Sequence, residues 1–383
     1  MDATQQLPES RLFKALLLAL FAAVLLTPFV GKVFDLNPQV EFDEKRTLAP
    51  FPEWRNDELS AQSWPASFEC YYNDNFGLRN LFIVGYNYFK AKLVGVSPSE
   101  KVVMGKGEWL YLNVAADYAR ALKVFTPFEL QLFALKLEAK QEWLAQRGVG
   151  YLFVVAPNKS TIYPEGLPDA YRQIGAKTRL QQLKEYLAAH STVQILDLGE
   201  PLIAEKQHQQ VYYYTNTHWN DHGCYLSYRA IMARLAQDHG VGPAKEPAEF
   251  YIYQNEVTGF DLSMMLGLKP YFLETSTFYE PNDRCSKPAP VIQAWARDWR
   301  AYSLQCHTRS GGLIVVGDSF SETTKLFDFL AEHFGYSLFL HREYFPMTAE
   351  NLQILVDELH PDVLVEEVVE RALGTEELEA RLF

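Results

Sequence analysis

Cysteine is scarce in this 383-residue chain: there are four, none in a CxxC spacing, and no HExxH motif accompanies them. A structural zinc site and a zinc-dependent peptidase of the HExxH type are therefore disfavoured. Runs of lysine and arginine are missing too, and 35 basic against 48 acidic residues leave a formal charge of −13. That argues against nucleic acid as a partner, because phosphate contacts need clustered cations to release counterions. No internal repeat or low-complexity tract is visible. With 48% hydrophobic, 14% aromatic and 22% charged residues, collagen-like, wholly disordered and small disulfide-scaffold classes are excluded. The length allows a large core and suggests two folding units.

What is present begins with one long apolar run. Ala15–Val30 is 16 uncharged residues, or 19 from Leu12 if Lys14 snorkels, just enough to cross a bilayer core once. Arg11 and Lys14 precede it and Asp35, Glu41 and Asp43 follow. The charge bias predicts a cytoplasmic N-terminus and an exported remainder, a single-pass inner-membrane protein with its globular part in the periplasm. A cleaved signal peptide is the rival reading, but Thr27–Lys32 offers no small-x-small cleavage site. An uncleaved anchor is preferred. Export permits disulfides. Four cysteines allow three connectivities; Cys285 and Cys306 bracket a segment with Pro288 and Pro290 and form the favoured pair, with Cys70–Cys224 following by elimination.

Three regions are expected: 1–34 as cytoplasmic tail and membrane anchor, 35–100 as tether and N-terminal extension, and 101–383 as an α/β domain with an insertion around 243–305. Residues 35–67 read as an extended tether, and KVVMGKGEWLYL at 101–112 as a hairpin around Gly105 and Gly107. From there helices and short apolar strands alternate. Helices are predicted over 126–147 (Thr126 as N-cap, Pro127 first, Gly148 as stop), from about 175 to 190, and over 222–239, 321–334 and 349–360. Strands are predicted at 151–157, 193–199, 313–316, 337–340 and 362–367. Uninterrupted Val/Ile/Leu strands alternating with helices indicate a parallel sheet covered on both faces, with ligands at the strands' carboxyl ends.

Two local patterns point to chemistry. Gly317-Asp318-Ser319-Phe320 stands where a strand turns into a helix, the position of a nucleophilic serine raised above a sheet; the plainer alternative is a helix cap. The loop Tyr212–His222 carries Asn216-Thr217-His218, and His218 is the candidate base. The i, i+4 pair His218 and His222 would permit a metal, but HWNDH lacks the glutamate and a third ligand. Neither metal nor cofactor is called for.

The apolar run, GDSF, the THW loop, Ala156-Pro157-Asn158-Lys159 through Ile162-Tyr163-Pro164 and the ending Val365–Arg371 together resemble the alginate O-acetylation family of AlgJ and AlgX, over roughly residues 35–375. The resemblance implies an SGNH-hydrolase-like domain with Ser319 and His218 as catalytic residues, acetyl transfer to an exopolysaccharide in the periplasm, and a multi-pass membrane-bound O-acyltransferase as donor partner. One departure stands out. The family pattern is Asp-x-His, and this chain has Asn216 at that place. An amide orients a ring but does not balance imidazolium charge, and the corresponding Asp-to-Asn change in a serine-protease triad lowers turnover about 10⁴-fold. Three outcomes stay open: Asp221 or Asp197 supplies the carboxylate, a Ser–His pair with Asn216 works slowly, or activity is lost and the chain is a scaffold. An acetylesterase would use the same residues. Lys159, Tyr163 and Arg371 are candidate substrate-binding residues. For Arg371 the alternative is a structural ion pair with Glu367.

Overall fold

The computed structural model describes residues 11–36, 47–53, 64–291 and 293–374. Most of the stretch read as a tether lies outside these. The chain divides into two compact units, one of residues 1–99 with Met264–Lys269, the other of Glu100–Ser263 with Pro270–Phe383.

In the first unit a helix spans Arg11–Val33, and its portion Phe13–Val33 is apolar, mostly exposed and long enough to cross a membrane. Most of its apolar side chains are exposed. Helices Trp64–Asn75 and Arg79–Tyr88 follow, the second running on into a π-helical turn at Phe89–Val94. The Asn87 amide donates to the Leu266 carbonyl at 2.8 Å, which ties the 264–269 segment into this unit.

The second unit is built on eleven strands. β1 (Val102–Met104) and β2 (Leu110–Leu112) form the expected hairpin. β3 (Gly150–Ala156) and β4 (Ile195–Asp197) come next. β5 (Phe250–Thr258) and β6 (Leu273–Pro281) make a second, separate hairpin. β7 (Lys287–Ala289), β8 (Tyr302–Gln305), β9 (Gly312–Gly317), β10 (Tyr336–His341) and β11 (Val363–Val369) complete the set. The main sheet runs β4-β3-β11-β9-β10-β8-β7. Its first five strands are parallel, as expected from their continuous apolar runs, whereas β8 and β7 add an antiparallel edge. Both lie inside the 243–305 stretch, where prolines and short strands hide the sheet signal.

Helices flank the sheet. Pro127–Ala145 begins with a full capping box: Thr126 Oγ1 accepts the Glu129 N–H and the Glu129 carboxylate accepts the Thr126 N–H. Such a box stabilises a helix start by about 1 kcal/mol. The helix stops before Gly148, at φ +74°, a left-handed angle that a side chain would strain. The predicted 175–190 helix starts later, at Arg179, because Thr178 is the residue that caps it. The predicted 321–334 helix is broken into Ser319–Glu322 and Leu326–Ala331. The Thr323 and Thr324 hydroxyls bond back to the Ser319 and Phe320 carbonyls at 2.7 and 2.5 Å, which competes with continued helix. One core packs Val154, Val315 and Val365 against Trp219, Tyr228 and Phe320, and another packs Ile314 and Leu364 against Leu352 and Leu355.

The Cys285–Cys306 disulfide is present, 21 residues apart in sequence. In the chain-entropy account a loop of that size is stabilised by about 3 kcal/mol. Cys70 and Cys224 remain thiols, one exposed and one buried, so the pairing by elimination does not form.

Candidate functional site

Chain order reverses where β11 lies between β3 and β9, the place in an α/β sheet where a crevice opens beyond the carboxyl ends. Three segments emerge there: Asn158 after β3, Arg371 after β11 and Ser319 after β9. The β3–β11 register ends at Val369↔Ala156. Two residues further on, Arg371 Nη1 donates to Asn158 Oδ1 at 3.1 Å.

The Gly317–Ser319 turn follows from β9, which is buried throughout. Gly317 is required, because a Cβ there would stand 2.9 Å from Ser321 and 3.0 Å from a Glu367 carboxyl oxygen. Asp318 caps the short helix: one carboxylate oxygen accepts the Phe320 N–H at 2.9 Å and the other accepts the Val369 N–H at 2.8 Å, bolting the turn to β11. Beneath it, Glu367 accepts the Asp318 N–H at 3.0 Å and the Ser321 hydroxyl at 2.9 Å. Burial, helped by the Asp318 charge, pushes the Glu367 carboxyl well above the usual range. Capping therefore falls to Asp318, which leaves the half-buried Ser319 side chain for other work.

That side chain meets His218: Ser319 Oγ and His218 Nε2 are 2.8 Å apart, 101 residues apart in the chain. Asn216 Oδ1 accepts the His218 main-chain N–H at 3.1 Å and faces Nδ1 at 2.9 Å. Since the main-chain group is always a donor, the atom facing both is an oxygen. Nδ1 then carries the proton and Nε2 presents its lone pair to Ser319. Burial holds the His218 pKa below the usual value; Asp261 and Asp318 pull it up, Arg371 and Lys159 pull it down. The ring packs edge-on against Phe320 at 4.8 Å, and Trp219 does the same from its side while its indole N–H donates to Thr324 Oγ1 at 3.1 Å. A neutral base aimed at a hydroxyl is suited to acyl transfer.

The other candidates are placed differently. Asp221 pairs with Lys325 at 2.8 Å and accepts the Tyr279 N–H. Asp197 sits on β4, paired with Lys184 at 2.7 Å and capping Gly199. Neither is the acid behind His218, since both carboxylates are committed elsewhere. Lys159 is buried rather than solvent-facing, and its ammonium donates to the Tyr213, Tyr214 and Asn216 carbonyls at 3.2, 3.0 and 2.6 Å. Burial brings its pKa down to about 7, with Asp261 and Glu274 acting against that. Tyr163 is buried as well, its hydroxyl accepting the Val211 N–H at 3.0 Å and its carbonyl bonding Tyr111. Both residues shape the histidine loop instead of meeting solvent. Arg371 is half-buried, with its guanidinium 5.7 Å from the Phe320 ring centre. Glu367 lies in β11 and bonds the Asp318 N–H and Ser321, while Arg371 lies in the turn Glu370–Ala372 that follows the strand. His222 bonds Tyr279 OH and Glu205 and does not share a site with His218. Among the described residues no group of three or more His, Cys, Asp or Glu could hold a metal ion.

Three further contributors stand outside the predicted site residues, although the Gly259-Phe260-Asp261-Leu262 loop resembles a GDL-like loop of related proteins with an extra residue. Glu274 of β6 accepts the Tyr214 N–H and the Thr215 N–H and hydroxyl, at 2.8, 3.3 and 2.6 Å. Asp261 holds Thr217 at its N–H and hydroxyl, at 2.9 and 2.5 Å. Asn158 is buried, its Oδ1 held by Arg371 and its main-chain N–H by Glu370, while its amide nitrogen has no partner among the described residues. Asn158 left a signal as the polar residue just past a buried strand, and Asp261 one as part of a GDL-like loop. Asp261 and Glu274 lie 44 to 60 residues from what they bind.

A family model described as SGNH hydrolase-like domain, acetyltransferase AlgX, matches residues 102–352. The probable alginate O-acetylase AlgJ of Pseudomonas syringae pv. tomato is 29% identical over 215 residues, 55% of this chain and 52% of that protein. The probable alginate O-acetylase AlgJ of Pseudomonas aeruginosa is 24% identical over 266 residues, 67% and 64% of the two. The chain thus spans about half the length of the first and less than two thirds of the second. Among solved structures, Bacillus cereus PatB1 matches with a TM-score of 0.54 at 15% identity, over 73% of this chain and 99% of that one. That is a likeness of fold.

Proposed function

The chain belongs to the AlgX family of SGNH hydrolase-like acetyltransferase domains, and from that premise we propose that it is a membrane-anchored periplasmic O-acetyltransferase acting on an exopolysaccharide of the alginate kind. The observation that carries this reading is the Ser319–His218–Asn216 chain of contacts at 2.8 and 2.9 Å. Ser319 Oγ attacks the acetyl carbonyl as its proton passes to His218 Nε2. The donor's leaving atom takes that proton and departs, giving acetyl-Ser319. A sugar hydroxyl then attacks the ester, losing its proton to the same imidazole, which returns it to Ser319 Oγ. The Ser319 N–H, first of its helix and without a helical partner, stabilises the oxyanion, with the unpartnered Asn158 amide as second donor. The apolar helix holds the domain at the inner membrane, where a membrane-bound O-acyltransferase delivers acetyl groups.

Incubation with an acetyl donor, followed by mass spectrometry of the peptide containing Ser319, tests the covalent step. Faster loss of the adduct with oligosaccharide than with water identifies a transferase; equal loss identifies an esterase. Asn216 favours a second reading, a weak or inactive assembly component. That reading wins if Ser319→Ala leaves polymer acetylation at the wild-type level.

A further inference from the structure

We propose that Asp261 supplies, through Thr217, the negative charge that the third position of the catalytic chain lacks. This rests on the acyl-transfer reading above. When Ser319 gives up its proton the imidazole becomes a cation, and Asn216 can accept its Nδ1–H but offers no charge to balance it. Of the acids behind a conventional triad, Asp221 and Asp197 are paired with lysines elsewhere. Asp261 is differently placed. It opens the helix Asp261–Met265 shortly after β5, and both its oxygens engage Thr217, the residue between Asn216 and His218. Its Oδ1 also accepts the Leu262 N–H at 2.8 Å.

This arrangement does two things. It fixes the main chain at Thr217, so that the next N–H, that of His218, meets Asn216 Oδ1. It also puts within electrostatic reach of the ring a carboxylate that makes no ion pair within 4 Å among the described residues, though its charge also acts on Lys159 and Arg371. The charges facing the imidazole are Asp261 and Asp318 on one side of the balance and Arg371 and Lys159 on the other, and the Asp261 effect is the largest of the four. Asp318 is tied to two main-chain donors of the nucleophile turn. Asp261 is thus a positioning residue whose charge reaches the reaction through the loop.

The test uses the full chain with isotope-labelled histidine, the His218 signal being identified among nine histidines by its loss in His218→Gln. Asp261→Asn keeps the shape and removes the charge. The expected result is a His218 titration lowered by about one unit, with acetyl release from 4-nitrophenyl acetate about tenfold slower at neutral pH. In an Asn216→Asp background, where a carboxylate already faces Nδ1, the same change is expected to cost less than about twofold. An unchanged titration overturns the proposal, and so does an equal loss in both backgrounds, which would mark Asp261 as a purely structural tie. A Ser319→Ala control separates the two ideas: activity surviving there defeats the acyl-serine reading, while the titration still decides the charge coupling.

Discussion

The nucleophile turn and the histidine loop meet at one contact but are held in opposite ways. Around Ser319 the fixing groups come from the end of β9 itself, the helix that follows and the strand alongside: Asp318 caps its own turn, and Glu367 and Val369 reach it from β11. The loop at 213–218 has no regular structure, and polar side chains from distant segments hold its backbone. Lys159 grips three of its carbonyls, Glu274 two of its N–H groups, and Asp261 a third. A turn built on sheet geometry tolerates the loss of one group, because its neighbours are bonded independently of it. A loop held by three side chains and two main-chain bonds, from the Leu110 and Leu262 N–H groups, leans more heavily on each of them.

Variants can break that contrast, starting with the contact both regions share. Ser319→Ala is expected to lower acetyl transfer by 10³-fold or more, read as loss of the covalent adduct by mass spectrometry. Lys159→Met takes the ammonium from the Tyr213 and Asn216 carbonyls and leaves Tyr214 O with the Leu110 N–H alone. A loss of about 3–4 kcal/mol is expected in urea denaturation, along with slower transfer. Lys159→Arg is not expected to rescue it, since a planar fork does not fit a site shaped for three diverging N–H bonds.

Glu370, beside the nucleophile region, sharpens the comparison through pH. It is buried, accepts the Asn158 N–H and the Thr161 hydroxyl, and burial raises its pKa to about 7. The folded state therefore keeps this proton longer than the unfolded chain does. Its stabilisation is complete below the unfolded value and is lost as pH rises through about 7, a slope worth about 3 kcal/mol in all. Glu370→Gln should flatten that slope, measured as urea midpoints between pH 4.5 and 8. The smallest effect is expected from Thr324→Val, which removes the acceptor of the Trp219 indole N–H together with the bond to the Phe320 carbonyl and costs about 1 kcal/mol by thermal unfolding.

The same contrast explains what could be read from residues alone. The parallel strands, the capped helix at 127–145 and the turn at Ser319 are local patterns: apolar runs, a Thr-Pro-x-Glu start, and a Gly-Asp-Ser between strand and helix. Their geometry follows from neighbouring residues. His218 and Asn216 were visible for the same reason, being two apart. Lys159 was misplaced because a lysine after a strand normally faces water. Only the folded chain reveals that three carbonyls wait for its ammonium. Asp261 stood out only as part of a GDL-like loop, with no sign of its tie to Thr217, and Glu274 was out of reach because nothing near it in the chain marks what it holds. The edge strands β7 and β8 were obscured by Pro288 and by their length of three and four residues.

That proline has a colloidal consequence. β7 is the last strand on its side of the sheet, and at its middle it lacks the N–H that an approaching strand from another molecule would need. The Cys285–Cys306 link keeps this short ribbon fastened over β8. Reduction would release the guard, and crowded copies of the domain would then tend to polymerise edge to edge.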